Sequence, residues 1–126
     1  MDQQLKQLMK ELGEALSNFV AELKSQSLLD KVILMTFSEF GRRVAENGSQ
    51  GTDHGAAAPL FLVGSNIRPG LHGAHPSLEK ESLDQGDLKS HTDFRSIYAD
   101  ILTHWLKADA RRILGGDFSG GALIRT

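Results

Sequence analysis

The sequence predicts an α/β fold in which two short apolar strands lie between two amphipathic helices. Three observations carry that prediction. Apolar residues recur at helical spacing near both ends of the chain. Two continuous apolar runs, Val32–Phe37 and Pro59–Gly64, have the length and composition of strands covered on both faces. A polar, glycine-bearing stretch from Ser38 to Ala58 separates them and reads as a loop.

The first helix spans residues 1–25. Leu5, Leu8, Met9, Leu12, Leu16, Phe19, Val20 and Leu23 follow each other at three- and four-residue steps and form one apolar face. Such side chains stabilise by about 1.5–3 kcal/mol each when fully buried, so the face is expected to pack against a partner surface. Strand, loop and strand then occupy residues 32–64. The second run is opened by Pro59 and closed by Gly64. An irregular stretch with Pro69-Gly70, Gly73, Pro76 and Gly86 follows. A second helix is predicted over residues 91–107, where Phe94, Ile97, Tyr98, Ile101, Leu102, Trp105 and Leu106 keep the period. Thr92 or Ser90 is the expected cap, and Asp93 and Arg95 read as helix-start residues. The tail, with Gly115-Gly116 and Gly120-Gly121, is expected to fray.

Two strands of the doubly covered kind make a poor sheet by themselves. They belong to a larger sheet or pair with another copy, and the exposed edges predict association. The 126 residues form one partial domain at most. If the Ser38–Gly55 segment lies at one end of the sheet, the chain leaves and re-enters there, which makes the two strands antiparallel neighbours.

Composition excludes several functions. A net charge of -2 with interspersed signs leaves no electrostatic footprint for nucleic acid or for an anionic membrane. No apolar run approaches the roughly 20 residues of a membrane helix. The absence of cysteine excludes disulfides and thiolate metal sites. No signal peptide is read at the start, and location is left open.

Residues able to do chemistry concentrate between Ser38 and Gly55. Ser38-Glu39-Phe40-Gly41-Arg42-Arg43 follows a strand, where open α/β sheets place ligand-binding groups. Gly51-Thr52-Asp53-His54-Gly55 precedes the next strand. Glu39, Asp53 and His54 offer two carboxylates and an imidazole, a donor set suited to a divalent metal such as zinc or manganese. Arg42 and Arg43 offer forked contacts to an anionic substrate. The same residues also have a plain structural reading. Glu39 can pair with an arginine at a strand end, and Asp53 can bond local amides in a turn. Asn47-Gly48-Ser49 matches a glycosylation acceptor and reads equally as a turn. His72, His75 and His104 are expected to be surface or structural residues. His91-Thr92 opens a helix, and Leu114 to Phe118 lacks the acidic residue a nucleotide-cyclase signature needs.

The ordered set Thr36–Arg43, Glu46-Asn47, Gly51–Gly55, Phe61–Gly64, Gly70–Gly73, Pro76–Leu78 and Thr92–Tyr98 resembles the family called domain of unknown function 1501. The likeness runs from Leu28 to Phe118. That family is similar to the alkaline phosphatase superfamily, and the resemblance implies the C-terminal portion of such a sheet with flanking helices. It implies a metal-dependent hydrolase of phosphate or sulfate esters, exported in its full-length form. This portion is expected to be inactive alone because the nucleophile lies upstream. Its expected partners are the remainder of the parent domain or further copies of the chain. Glu39 takes the place of the superfamily's aspartate ligand and His54 that of a later histidine, whereas Phe40 stands where a phosphatase has a histidine. The competing expectation is a structural or partner-binding domain with no metal site.

Overall fold

The computed structural model describes residues 2–118 and 120–125. Helix α1 (Asp2–Ser25) is followed by a 3-10 turn at Leu29–Lys31. Four short strands come next: β1 (Leu34–Met35), β2 (Gly41–Glu46), β3 (Thr52–Gly55) and β4 (Leu62–Val63). Helix α2 (Phe94–Asp100) runs on into a π-helical turn at Ile101–Trp105, and a short α3 (Ala110–Leu114) follows. The result is mixed α/β, with two small antiparallel sheets.

Helix α1 ends in a Schellman motif. Ser27 adopts φ 55, the Leu28 N–H donates to the Leu23 carbonyl at 2.8 Å, and the Ser27 N–H donates to Lys24 at 3.1 Å. Its apolar face is left uncovered among the described residues: Leu5, Leu8, Met9, Leu12 and Phe19 are 44–54% exposed. The packing partner expected from the periodicity is therefore not found among the described residues.

Strands β1 and β4 pair antiparallel, with Leu34 opposite Val63 and Met35 opposite Leu62. Thr36 extends the pairing through its amide to the Phe61 carbonyl at 3.0 Å and through its hydroxyl, which accepts from the Phe61 N–H at 2.9 Å. The regular strands are shorter than the apolar runs that contain them. Only one ladder holds each strand, and Phe37 and Phe61 stay 75% and 56% exposed beside it.

The stretch from Ser38 to Ala58 departs from the expected loop. It folds as a hairpin, β2 against β3, with Gly41 opposite Gly55, Arg42 opposite His54 and Glu46 opposite Thr52, and an irregularity within β2. Asn47 closes the turn. Its Oδ1 accepts from the Ser49 and Gly51 amides, each at 3.0 Å, and its own N–H donates to the Gly51 carbonyl at 2.8 Å. Asn47-Gly48-Ser49 is thus a turn by geometry.

The tail also departs from expectation. Leu123 and Ile124 are buried, and together with Ala99 they form the buried apolar core among the described residues. Ile124 bridges Ile67, the Arg68 amide donates to Leu123 at 2.8 Å, and the Arg125 amide donates to Asn66 at 2.8 Å. Asp100, 4% exposed, accepts from the Leu123 and Ile124 amides at 2.7 and 3.0 Å through one carboxylate oxygen. Burying two N–H groups requires such an acceptor. A carboxylate on the inner face of α2 thus fastens the chain end.

Helix α2 is capped by Asp93, not by Thr92 or Ser90: the Asp93 carboxylate accepts from the Arg95 N–H at 2.9 Å. The Arg95 guanidinium grips the same carboxylate, its Nη2 lying 2.7 Å from Oδ2. That side-chain bond, reinforced by the Arg95 backbone N–H, holds the Asp93 carboxyl below the usual carboxylate range. A depressed folded-state pKa stabilises above the ordinary value of about 3.9 and is lost as pH falls through the folded value. Acidification through that window is expected to fray Phe94–Ser96 first, read from amide exchange. Asp93→Asn, which keeps an acceptor but carries no charge, is expected to flatten that pH dependence. Unchanged fraying in the variant contradicts the capping role.

The chain exposes 9397 Å², whereas a compact monomer of this length exposes about 6,600 Å².

Candidate functional site: one face of the hairpin

Two close glycine contacts set the geometry of the hairpin's open end. A Cβ on Gly41 would overlap the backbone carbonyl of Ala57, and one on Gly55 would lie 2.8 Å from the Arg42 carbonyl carbon. Glycine at both positions lets the paired backbones and the returning chain pack together, and fixes the side chains that follow.

Arg42 and His54 are directly opposite across the ladder, which places their side chains on one face. The Phe40 ring completes that face. It stacks on the His54 imidazole with centroids 3.5 Å apart and planes 13° apart. The Arg42 guanidinium carbon lies 5.3 Å from the Phe40 centroid, within cation–π range. Arg42 Nη1 donates to the Thr52 carbonyl at 2.8 Å, and the Ser38 hydroxyl donates to the Phe40 carbonyl at 2.7 Å. The guanidinium and the imidazole thus both contact the Phe40 ring. Stacking covers one face of the imidazole and orients the ring, while leaving its in-plane nitrogens at the edge. Phe40 is therefore the ring on which the histidine rests.

Asp53 goes elsewhere. Adjacent strand residues point to opposite faces, so Asp53 and His54 diverge. The Asp53 carboxylate accepts from Asn47 Nδ2 at 3.0 Å and braces the turn. Glu39 is exposed, with no ion pair among the described residues. Nor do three histidine or carboxylate side chains gather about a common point among the described residues. Glu39, Asp53 and His54, the residues expected to hold a metal, are thus not brought about a common point among the described residues.

Arg43 is also directed away. Its Nε and Nη2 donate to the Asp87 carboxylate at 3.1 and 3.5 Å, in a partly buried pair. Asp87 sits on a two-residue turn at Gln85-Gly86, with φ 50 and 91, closed by reciprocal amide bonds with Asp84. The pair ties the long loop to the hairpin. Sequence reading alone missed Asp87 because nothing local links residues 44 apart.

A concavity of about 340 Å³ lies between α2 and the tail, lined in part by Asp100, Thr103, His104, Asp109 and Arg111. His104 Nε2 stands 3.7 Å from Asp100 Oδ1, beyond hydrogen-bond reach. The signal for Asp100 was present in the sequence: it lies on the apolar face of α2 with Ile97 and Ile101, where a carboxylate needs a buried partner.

Comparison with curated proteins and with solved structures yields no match. The family model described as "Protein of unknown function (DUF1501)" matches residues 1–117. The chain belongs to the DUF1501 family.

Proposed function

We propose that this chain is one section of an alkaline-phosphatase-like hydrolase of phosphate or sulfate esters, and that its contribution to the active site is the Arg42–Phe40–His54 face. The observation that carries this reading is the cross-strand pairing of Arg42 with His54 on a shared aromatic platform. A guanidinium fork and the edge of an oriented imidazole on one face of the hairpin suit the oxygens of a tetrahedral anion. The exposed surface in excess of a compact monomer supports the view that further parts of the domain complete the fold. They would also supply the nucleophile, so the chain alone is expected to show no turnover.

The metal reading narrows with the geometry. Where the full domain holds zinc or manganese, His54 is the donor this section contributes, and the remaining donors come from outside it. Asp53 and Arg43 serve the hairpin and the loop. Those two internal contacts also favour a second reading, in which the segment is structural throughout and binds no anion.

Titrating inorganic phosphate or sulfate into the chain separates the two. Arg42→Ala and His54→Ala are each expected to weaken anion binding by about tenfold, equivalent to about 1.4 kcal/mol. Asp53→Asn leaves it unchanged. Equal affinity in wild type and both alanine variants supports the structural reading.

A further inference from the structure

Asn47 and Gly48 lie at the tip of the hairpin, and an asparagine–glycine step there has a chemistry beyond turn formation. An asparagine loses its side-chain amide when the backbone nitrogen of the following residue attacks Cγ. Three conditions favour that attack: a following N–H free of hydrogen bonds, no side chain crowding that nitrogen, and donors that polarise the amide carbonyl. The turn meets all three. Gly48 is exposed, and its N–H donates to no acceptor among the described residues. Glycine places no Cβ beside the nitrogen. The Asn47 Oδ1 already accepts from the Ser49 and Gly51 amides, each at 3.0 Å, and the same donors suit the oxyanion that forms on it during attack.

Asn18 and Asn66, the remaining asparagines of the chain, fail the first condition. The nitrogen after Asn18 belongs to Phe19, inside α1, where each amide is bonded to the carbonyl four residues earlier. The nitrogen after Asn66 belongs to Ile67, which donates to the Gly64 carbonyl at 3.3 Å and carries a β-branched side chain.

We propose that Asn47 is a site of spontaneous deamidation and that its conversion opens the hairpin. The Gly48 nitrogen gives its proton to solvent base and bonds to Cγ. The Cγ–Nδ2 bond breaks, and Nδ2 takes a proton from water and leaves as ammonia. Water then opens the resulting succinimide at either carbonyl, giving an aspartyl or an isoaspartyl residue at position 47. Nothing is oxidised or reduced, and water is the co-reactant.

The consequence follows from what Nδ2 holds. It donates to Asp53 Oδ1 at 3.0 Å, so deamidation puts a carboxylate oxygen where a donor stood. Two carboxylates at that separation repel unless one takes up a proton. The isoaspartyl product also inserts a methylene into the backbone of the turn, which the Gln50 N–H closes on the Asn47 carbonyl at 3.1 Å.

Incubating the full chain at mildly alkaline pH, followed by peptide mapping, is expected to find deamidation and isoaspartate at Asn47, with Asn18 and Asn66 intact. The native chain is expected to react no more slowly than the chain in concentrated urea. Gly48→Ala, whose Cβ meets nothing within 4 Å, is expected to keep the hairpin and to slow the reaction by about tenfold or more. Asn47→Asp, which reproduces the aspartyl product, is expected to lose amide protection at Gly41 and Gly55 at neutral pH. Adding Asp53→Asn to it is expected to restore that protection. Reaction of Asn18 or Asn66 ahead of Asn47, or a native chain slower than the chain in urea, overturns the site. Full protection in Asn47→Asp, or a loss that Asp53→Asn does not repair, overturns the opening by charge repulsion.

Discussion

Gly41→Val is expected to dismantle the hairpin and with it the Arg42–Phe40–His54 face. Gly41 is buried at the first position of β2, and its Cβ direction is blocked by the Ala57 backbone. Backbone cannot rotate out of the way as a side chain can, so either β2 leaves β3 or the segment before β4 is displaced. Overpacking of this kind costs typically 1–3 kcal/mol and more where backbone must move, and about 3 kcal/mol or more is expected here. Exchange of the Gly41 and Gly55 amides, together with the ring-current shift that Phe40 imposes on His54, reports the loss. Gly48→Ala is the matched control, because nothing lies within 4 Å of its Cβ position. Equal protection in the Gly41 and Gly48 variants would refute the assignment of the hairpin as a close-packed element.

Asp100→Ala carries the second large effect. One carboxylate oxygen serves the two buried amides of Leu123 and Ile124. Removing it leaves both donors without an acceptor at about 1–3 kcal/mol each, so a loss of about 2–5 kcal/mol is expected. The consequence is local before it is global: the tail detaches from α2, and the bridge between Ile67 and Ile124 opens. Asp100→Asn keeps an oxygen acceptor and is expected to lose less than half as much. Hydrogen exchange at Leu123, Ile124 and Arg68 measures the difference. Unaltered protection of all three in the alanine variant would show that the tail is held by something other than this clasp.

Different forces explain why parts of this structure were readable from the sequence and parts were not. Helix α1 and the pairing of β1 with β4 follow from apolar periodicity and from continuous apolar runs, which encode the hydrophobic effect directly. The hairpin does not. Gly41–Glu46 exposes most of its residues and buries a glycine, so its inside-outside alternation is too weak to register as a strand. Its stability comes from backbone pairing and the Asn47 turn. The tail was misjudged for a related reason. Four glycines predict fraying, yet Leu123 and Ile124 are fixed by a carboxylate more than twenty residues earlier, a link no local pattern announces. Asp93 replaced Thr92 as the cap because Arg95 binds the same carboxylate and favours it over a hydroxyl.

The candidate site was legible as a segment and not as a geometry. Ser38–Gly55 does gather the chemically able residues, but alternation along β3 sends Asp53 away from His54, and Asp87 draws Arg43 to the loop. Phe40, read from the sequence as a lost ligand, is the residue that orients His54. What remains on one face is an arginine and a histidine, the pair on which the proposed anion contact rests.

The most direct test of that reading is an NMR titration of the wild-type chain with inorganic phosphate, following every assigned amide and the histidine rings. The expected result is a saturable shift confined to the Arg42 and His54 signals and their neighbours Phe40 and Gly55, absent from His72, His75, His91 and His104. Shifts spread evenly over all five histidines, or none at Arg42 and His54, would contradict it.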